Sequence, residues 1–182
     1  MLQRFFIAIL PPEPLRQEID EIKQYFARVY ESSAALKSPP HITLKPPFQW
    51  EIENIPPLED TLQEFAALYS KFSLAISGFG AFKPRVIFLH PLPNSELLNI
   101  QQALVLHLSQ KLALNDRETR PFAPHLTVAF RDLTPASFKL AWSELKDRAI
   151  EFQFEVSALT LLIHTGKRWE IHREFPLQLR AK

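Results

Sequence analysis

The chain contains no cysteine. Disulfides, thiolate nucleophiles and cysteine-based zinc sites are therefore excluded, and the lack fits a reducing cytoplasm. A long apolar run is missing too. The stretch from Phe5 to Leu10 is stopped by Pro11-Pro12, which leaves it too short for a signal-peptide core and far too short to span a membrane. It predicts a buried first strand in a soluble, cytoplasmic protein. A dominant charge is absent as well: the formal net charge is +1. That argues against coating long duplex nucleic acid by bulk electrostatics, but not against holding a small phosphorylated substrate in a local basic pocket.

Glycine is scarce, with 3 residues against 16 prolines. Prolines cluster at Pro11-Pro12-Glu13-Pro14, Pro39-Pro40, Pro46-Pro47 and Pro56-Pro57. Proline cannot continue a helix interior or a central ladder, so these clusters predict element ends. None is long enough for a linker, and one domain over residues 1–182 is expected. Its composition, 46% hydrophobic and 23% charged, is that of an ordinary globular chain.

Hydrophobic periodicity orders the elements. Strands are expected over Arg4 to Leu10, around His41, and over Phe72 to Phe82, where Gly78 and Gly80 suggest a bulge. Further strands are expected over Arg85 to His90, His125 to Phe130, Phe152 to Val156, Leu159 to His164 and Trp169 to Phe175. The turn Thr165-Gly166-Lys167 joins the last two as a hairpin. Helical spacing runs over Pro14 to Tyr30, Leu58 to Tyr69, Ser95 to Leu112 and Thr134 to about Arg148. Thr134 is the cap of the last, with Pro135 in its first turn.

The halves repeat this pattern. Arg4-Phe5-Phe6-Ile7 opens a strand that leads through prolines and a helix to Pro40-His41-Ile42-Thr43-Leu44. Arg85-Val86-Ile87-Phe88 leads in the same way to Pro124-His125-Leu126-Thr127-Val128. The class expected is α+β, with two pseudo-symmetric sheet-plus-helix lobes.

In a strand, residues two apart share a face. His41 therefore projects with Thr43, and His125 with Thr127, while Ile42, Leu44, Leu126 and Val128 anchor the reverse side. If the strand continues unbroken, Lys45 joins the His41 face. Histidine titrates near neutrality and serves as acid or base, so two of them beside one phosphate supply both roles in phosphodiester cleavage. Threonine hydroxyls can hydrogen-bond the non-bridging oxygens. No carboxylate accompanies either histidine at metal-ligand spacing, so no metal and no cofactor is expected. Lys45 and Arg131 are candidate phosphate contacts or solvated charges. Phe48 and Trp50 either stack on a base or close the core, and the core is favoured. His164-Thr165 lacks the motif's spacing and reads as structural.

Two His-x-Thr-apolar motifs, one per half of a chain this size, resemble the signature of the two-histidine (2H) phosphoesterases, which include LigT-type 2′-5′ RNA ligases and RNA 2′,3′-cyclic phosphodiesterases. The resemblance implies a bilobal LigT-like fold with both motifs facing a central cleft. It implies His41, Thr43, His125 and Thr127 as the catalytic set, and an RNA end or small cyclic nucleotide as substrate for a monomeric enzyme. Ala123 stands where RNA cyclic phosphodiesterases commonly carry arginine, which leaves Arg120 or Arg131 as the substitutes. Two alternatives stay open: 2′-5′ ligation in the same site, and a non-catalytic RNA- or nucleotide-binding module.

Overall fold

The computed structural model describes residues 1–115 and 120–179. Its elements follow in the order β1 (Leu2–Ile9), α1 (Leu15–Tyr30), β2 (Ile42–Glu51), α2 (Ile55–Ala66), β3 (Phe72–Phe82), β4 (Val86–Pro91), α3 (Ser95–Leu112), β5 (Leu126–Ala129), α4 (Pro135–Leu145), β6 (Glu151–Val156), β7 (Ala158–His164) and β8 (Trp169–Pro176). Two four-stranded sheets result, ordered β2-β1-β7-β8 and β5-β4-β3-β6, with every pairing antiparallel. The expected pair of sheet-plus-helix lobes is present, and the strand order of one sheet maps onto the other.

The helices cross over. α1 connects β1 to β2 of the first sheet, yet it packs against β5 and α4 of the second. Tyr25 and Tyr30 of α1 both donate hydroxyl hydrogen bonds to Glu144 on α4. α3 connects β4 to β5 of the second sheet and packs against β2 and α2 instead. Each sheet is thus covered partly by the other's connecting helix, and one continuous apolar cluster runs from Phe5, Ile7 and Ile42 through Leu104 to Leu126 and Val128. Every fully buried side chain of this size contributes roughly 1.5–3 kcal/mol of transfer free energy.

Several local expectations meet the structure directly. Thr134 caps α4 by accepting from the Ser137 amide, as expected, and α3 gains a cap that the sequence reading did not name, Asn94 accepting from the Leu97 amide. The β3 ladder shifts register between Ile76 and Phe79, where Gly78 has φ 71°. One expectation fails. Pro46-Pro47 does not end a strand but lies inside β2. β2 is an edge strand, where a missing N–H costs no ladder bond on the open side.

Candidate active site

Both motifs ride on edge strands, β2 in one sheet and β5 in the other, and the two edges lie side by side. Their local frames are near copies. Thr43 pairs with Ala8, and the next pair is Lys45 with Ile7. Thr127 pairs with Phe88, and the next pair is Ala129 with Ile87. Each motif strand therefore bulges immediately after its threonine, with two residues opposing one. Ile42, Leu44, Leu126 and Val128 are fully or almost fully buried behind the motifs, which holds the half-buried His41, Thr43, His125 and Thr127 on the opposite face.

The histidines are oriented alike. His41 Nδ1 lies 2.7 Å from the Pro39 carbonyl, and His125 Nδ1 lies 2.7 Å from the Ala123 carbonyl. A carbonyl only accepts, so each Nδ1 carries the proton and each Nε2 is left for chemistry. Phe6 packs on the His41 ring at 4.8 Å between centroids, whereas Phe82 and Phe88 pack on His125 at 4.9 and 5.5 Å.

Electrostatically the two differ. Burial is the main force pushing the His41 imidazole down to about 4, opposed by the Pro39 bond and aided by the positive charges of Lys23 and His125. Burial also lowers His125, and among the described residues no neighbouring cation adds to it. Lys23 is itself buried, 1% exposed, and donates 2.9 Å to the Ser38 carbonyl just ahead of His41. Desolvation lowers its ammonium to about 8, against the pull of Asp20. Asp132, in the loop after β5, accepts from the Ser32 hydroxyl and from the Ser33 and Ala34 amides, each at 2.9 Å. It thus ties the loop behind one motif to the loop ahead of the other. Its carboxyl is held below the usual value by these donors, against an opposing burial effect that is the largest single influence.

One sequence expectation is corrected by the bulge. Lys45 does not share the face of His41 and Thr43. It opposes Ile7, is 3% exposed, and its ammonium donates to the Asn115 carbonyl at 3.1 Å. Phe48 takes the favoured of its two expected places: it opposes Phe5 and packs on it at 6.2 Å, on the core side and not as a base-stacking face. Arg131 remains exposed, at φ 60° with its guanidinium over Phe130, and its charge is felt at His164. Arg120 is exposed too. Among the described residues, no group of three or more His, Asp or Glu side chains converges to hold a metal, and no helix is long and apolar enough to cross a membrane. A depression of about 290 Å³ lined by Ser77, Leu92 and Gln153 lies on β3 and β6 and includes no motif residue.

Comparison with known proteins bears on this geometry. The model of the 2′-5′ RNA ligase superfamily matches residues 11–168. A Geobacillus kaustophilus protein that carries the name putative phosphoesterase is 29% identical over 176 residues, covering 94% of this chain and 95% of its own. Among solved structures, Escherichia coli LigT complexed with 3′-AMP superposes with TM-score 0.69 at 22% identity, over 98% of this chain and 99% of that one. The Thermus thermophilus protein TT0787 gives the same TM-score of 0.69 at 19% identity, over 98% and 100%. LigT has also been solved with ATP and with NADP+. The fold is LigT-like.

Proposed function

The chain belongs to the 2′-5′ RNA ligase superfamily, the 2H phosphoesterases, and on that premise we propose that it hydrolyses a cyclic phosphodiester with His41 and His125 as its acid–base pair. The substrate class is a 2′,3′-cyclic phosphate, on an RNA end or on a small nucleotide. One observation carries the reading: two imidazoles, each pinned through Nδ1 to the carbonyl two residues back, present Nε2 from adjoining edge strands.

Their unequal surroundings divide the labour. His41, which burial and Lys23 keep neutral, is the base. Its Nε2 takes a proton from water as the water oxygen bonds to phosphorus. The bond from phosphorus to one ribose oxygen breaks, and His125, entering protonated, gives that oxygen the proton from its Nε2. Protons then exchange with solvent to restore both rings. The Thr43 and Thr127 hydroxyls donate to the non-bridging oxygens, where charge concentrates during transfer. The substrate's negative charge raises the proton affinity of nearby imidazoles on binding, which helps His125 enter in the acid form.

The test is ring opening of a short RNA ending in a 2′,3′-cyclic phosphate, with EDTA present. Wild type should open it, and His41→Ala and His125→Ala should each lose about 10²–10⁴ in turnover. Wild-type rates in either variant would sink the assignment. The superfamily's name favours one further assay. Joining of cleaved RNA halves would run the same groups in reverse, and a 2′-5′ linked product would reveal it.

A further inference from the structure

The first sheet continues past His41 and Thr43, and its cleft face carries a second set of polar groups. The pairing of Phe5 with Ile163 extends by one step to place Arg4 beside His164, whose partner on β8 is Trp169. Gln49 of β2 pairs with Arg4 from the other side. Gln49, Arg4, His164 and Trp169 thus form one row across all four strands. It lies two residues along from Phe6 and four from Ala8, about 13 Å along the strand. Phe6 belongs to the same face, because Arg4, Phe6 and Ala8 alternate with the core residues Phe5 and Ile7.

Trp169 organises the row. The Arg4 guanidinium lies 5.3 Å above its ring, His164 packs edge-on at 4.9 Å, and Phe6 packs edge-on at 4.7 Å. Phe6 in turn touches His41, so the row is joined to the motif by a single aromatic side chain. His164 Nδ1 accepts the Gly166 amide at 3.1 Å. An amide only donates, so the neutral ring carries its proton on Nε2, which leaves a donor. The charge of Arg131, in the loop after β5, acts on His164 together with that of Arg4. Among the described residues none of Arg4, His164 and Arg131 has a carboxylate within ion-pairing distance. On the row beyond, Glu51 opposite Leu2 is already engaged by the Met1 ammonium at 2.7 Å.

Cationic groups brought together without a counter-charge repel each other, and a bound anion relieves that. We propose that Arg4 and His164, backed by Trp169 and faced by Arg131, form a second phosphate subsite that reads a phosphate one nucleotide unit away from the bond being broken. The inference deepens the proposed function and rests on it. It selects substrates with two phosphoryl groups: a cyclic phosphate for the histidines and a further phosphodiester or terminal phosphate for Arg4. An oligonucleotide and a 5′-phosphorylated nucleotide share that chemistry.

Three substrates separate the sources: a nucleoside 2′,3′-cyclic phosphate, its 5′-phosphorylated form, and a dinucleotide ending in the cyclic phosphate. Arg4→Gln and His164→Gln should each cut kcat/KM about tenfold more on a doubly phosphorylated substrate than on the simple one, through KM. Loss on the dinucleotide alone identifies an oligonucleotide phosphate, and loss on the 5′-phosphorylated nucleotide a terminal one. Equal effects on all three overturn the subsite. A binding arm makes the outcome independent of turnover: inorganic pyrophosphate is titrated into the full chain while the His164 ring proton is followed by NMR. The subsite requires the apparent pKa of His164 to rise with pyrophosphate, and Arg4→Gln to weaken that response. Ring opening without a His164 response refutes the subsite alone. A His164 response without ring opening refutes the proposed function alone.

Discussion

The two motif strands share one backbone frame and fill it differently. In the first sheet the row through Thr43 continues to Ala8 and Thr160, and in the second the row through Thr127 continues to Phe88 and Gly80. Small beside medium in one becomes large beside nothing in the other. After the bulge, Ala129 sits fully buried in the second sheet, while Lys45 sits at the same place in the first and reaches the Asn115 carbonyl. His41 is covered by Phe6 and feels Lys23, whereas His125 packs against the Phe82–Phe88 pair. Two copies of one device thus present the same nitrogen to the cleft with different affinities for a proton. The base and acid proposed here need that difference.

The comparison is best broken where the rows differ most in volume. A methyl group at Gly80 would overlap the Phe88 ring, which packs on His125. Gly80→Ala should cost about 1–3 kcal/mol in thermal unfolding and lower turnover, with the NMR signal of His125 shifted and that of His41 little changed. Equal shifts in both would mean that the lobes are not independent frames.

Asp132 belongs to neither frame but to the link between them. Asp132→Ala strands the Ser32 hydroxyl, which is wholly buried, along with two loop amides. A loss of about 1–3 kcal/mol is expected, together with a fall in kcat as the two histidines lose their fixed separation. Asp132→Asn, which keeps an acceptor oxygen, should recover part of both.

The smallest effect sharpens the electrostatic contrast. Lys23 lowers the proton affinity of His41, so Lys23→Met should raise it. A base that takes up its proton at higher pH is lost earlier on acidification, and the acid limb of the kcat/KM profile should move upward. His125, on which Lys23 does not act, should titrate as before in the same NMR experiment. A profile that does not move would remove Lys23 from the account of His41.

Much of this was legible in the chain itself. Alternation around His41 and His125 located both motifs and their buried backs, and apolar periodicity placed α3 and, with the Thr134 cap, α4. The repeat was visible too, but one residue out of step. Matching Arg4 with Arg85 sets Phe6 against Ile87, whereas the ladders equate Ala8 with Phe88. Lys45 was misplaced for a related reason. Alternation assumes an unbroken pleat, and one inserted residue turns everything after it to the other face. His164 lacked any motif around it, and only the neighbouring strands show what it stands beside.

The sequence by itself determined the class of elements, their order, and which polar side chains oppose a buried face, because these follow from local periodicity and residue chemistry. Tertiary structure alone decided that each connecting helix covers the other sheet, that the two edge strands adjoin, and that Lys23, Asp132, Arg4 and Arg131 gather around them. Those facts rest on contacts between residues as much as about 160 positions apart, from Arg4 to His164, and no local pattern encodes so distant a partner.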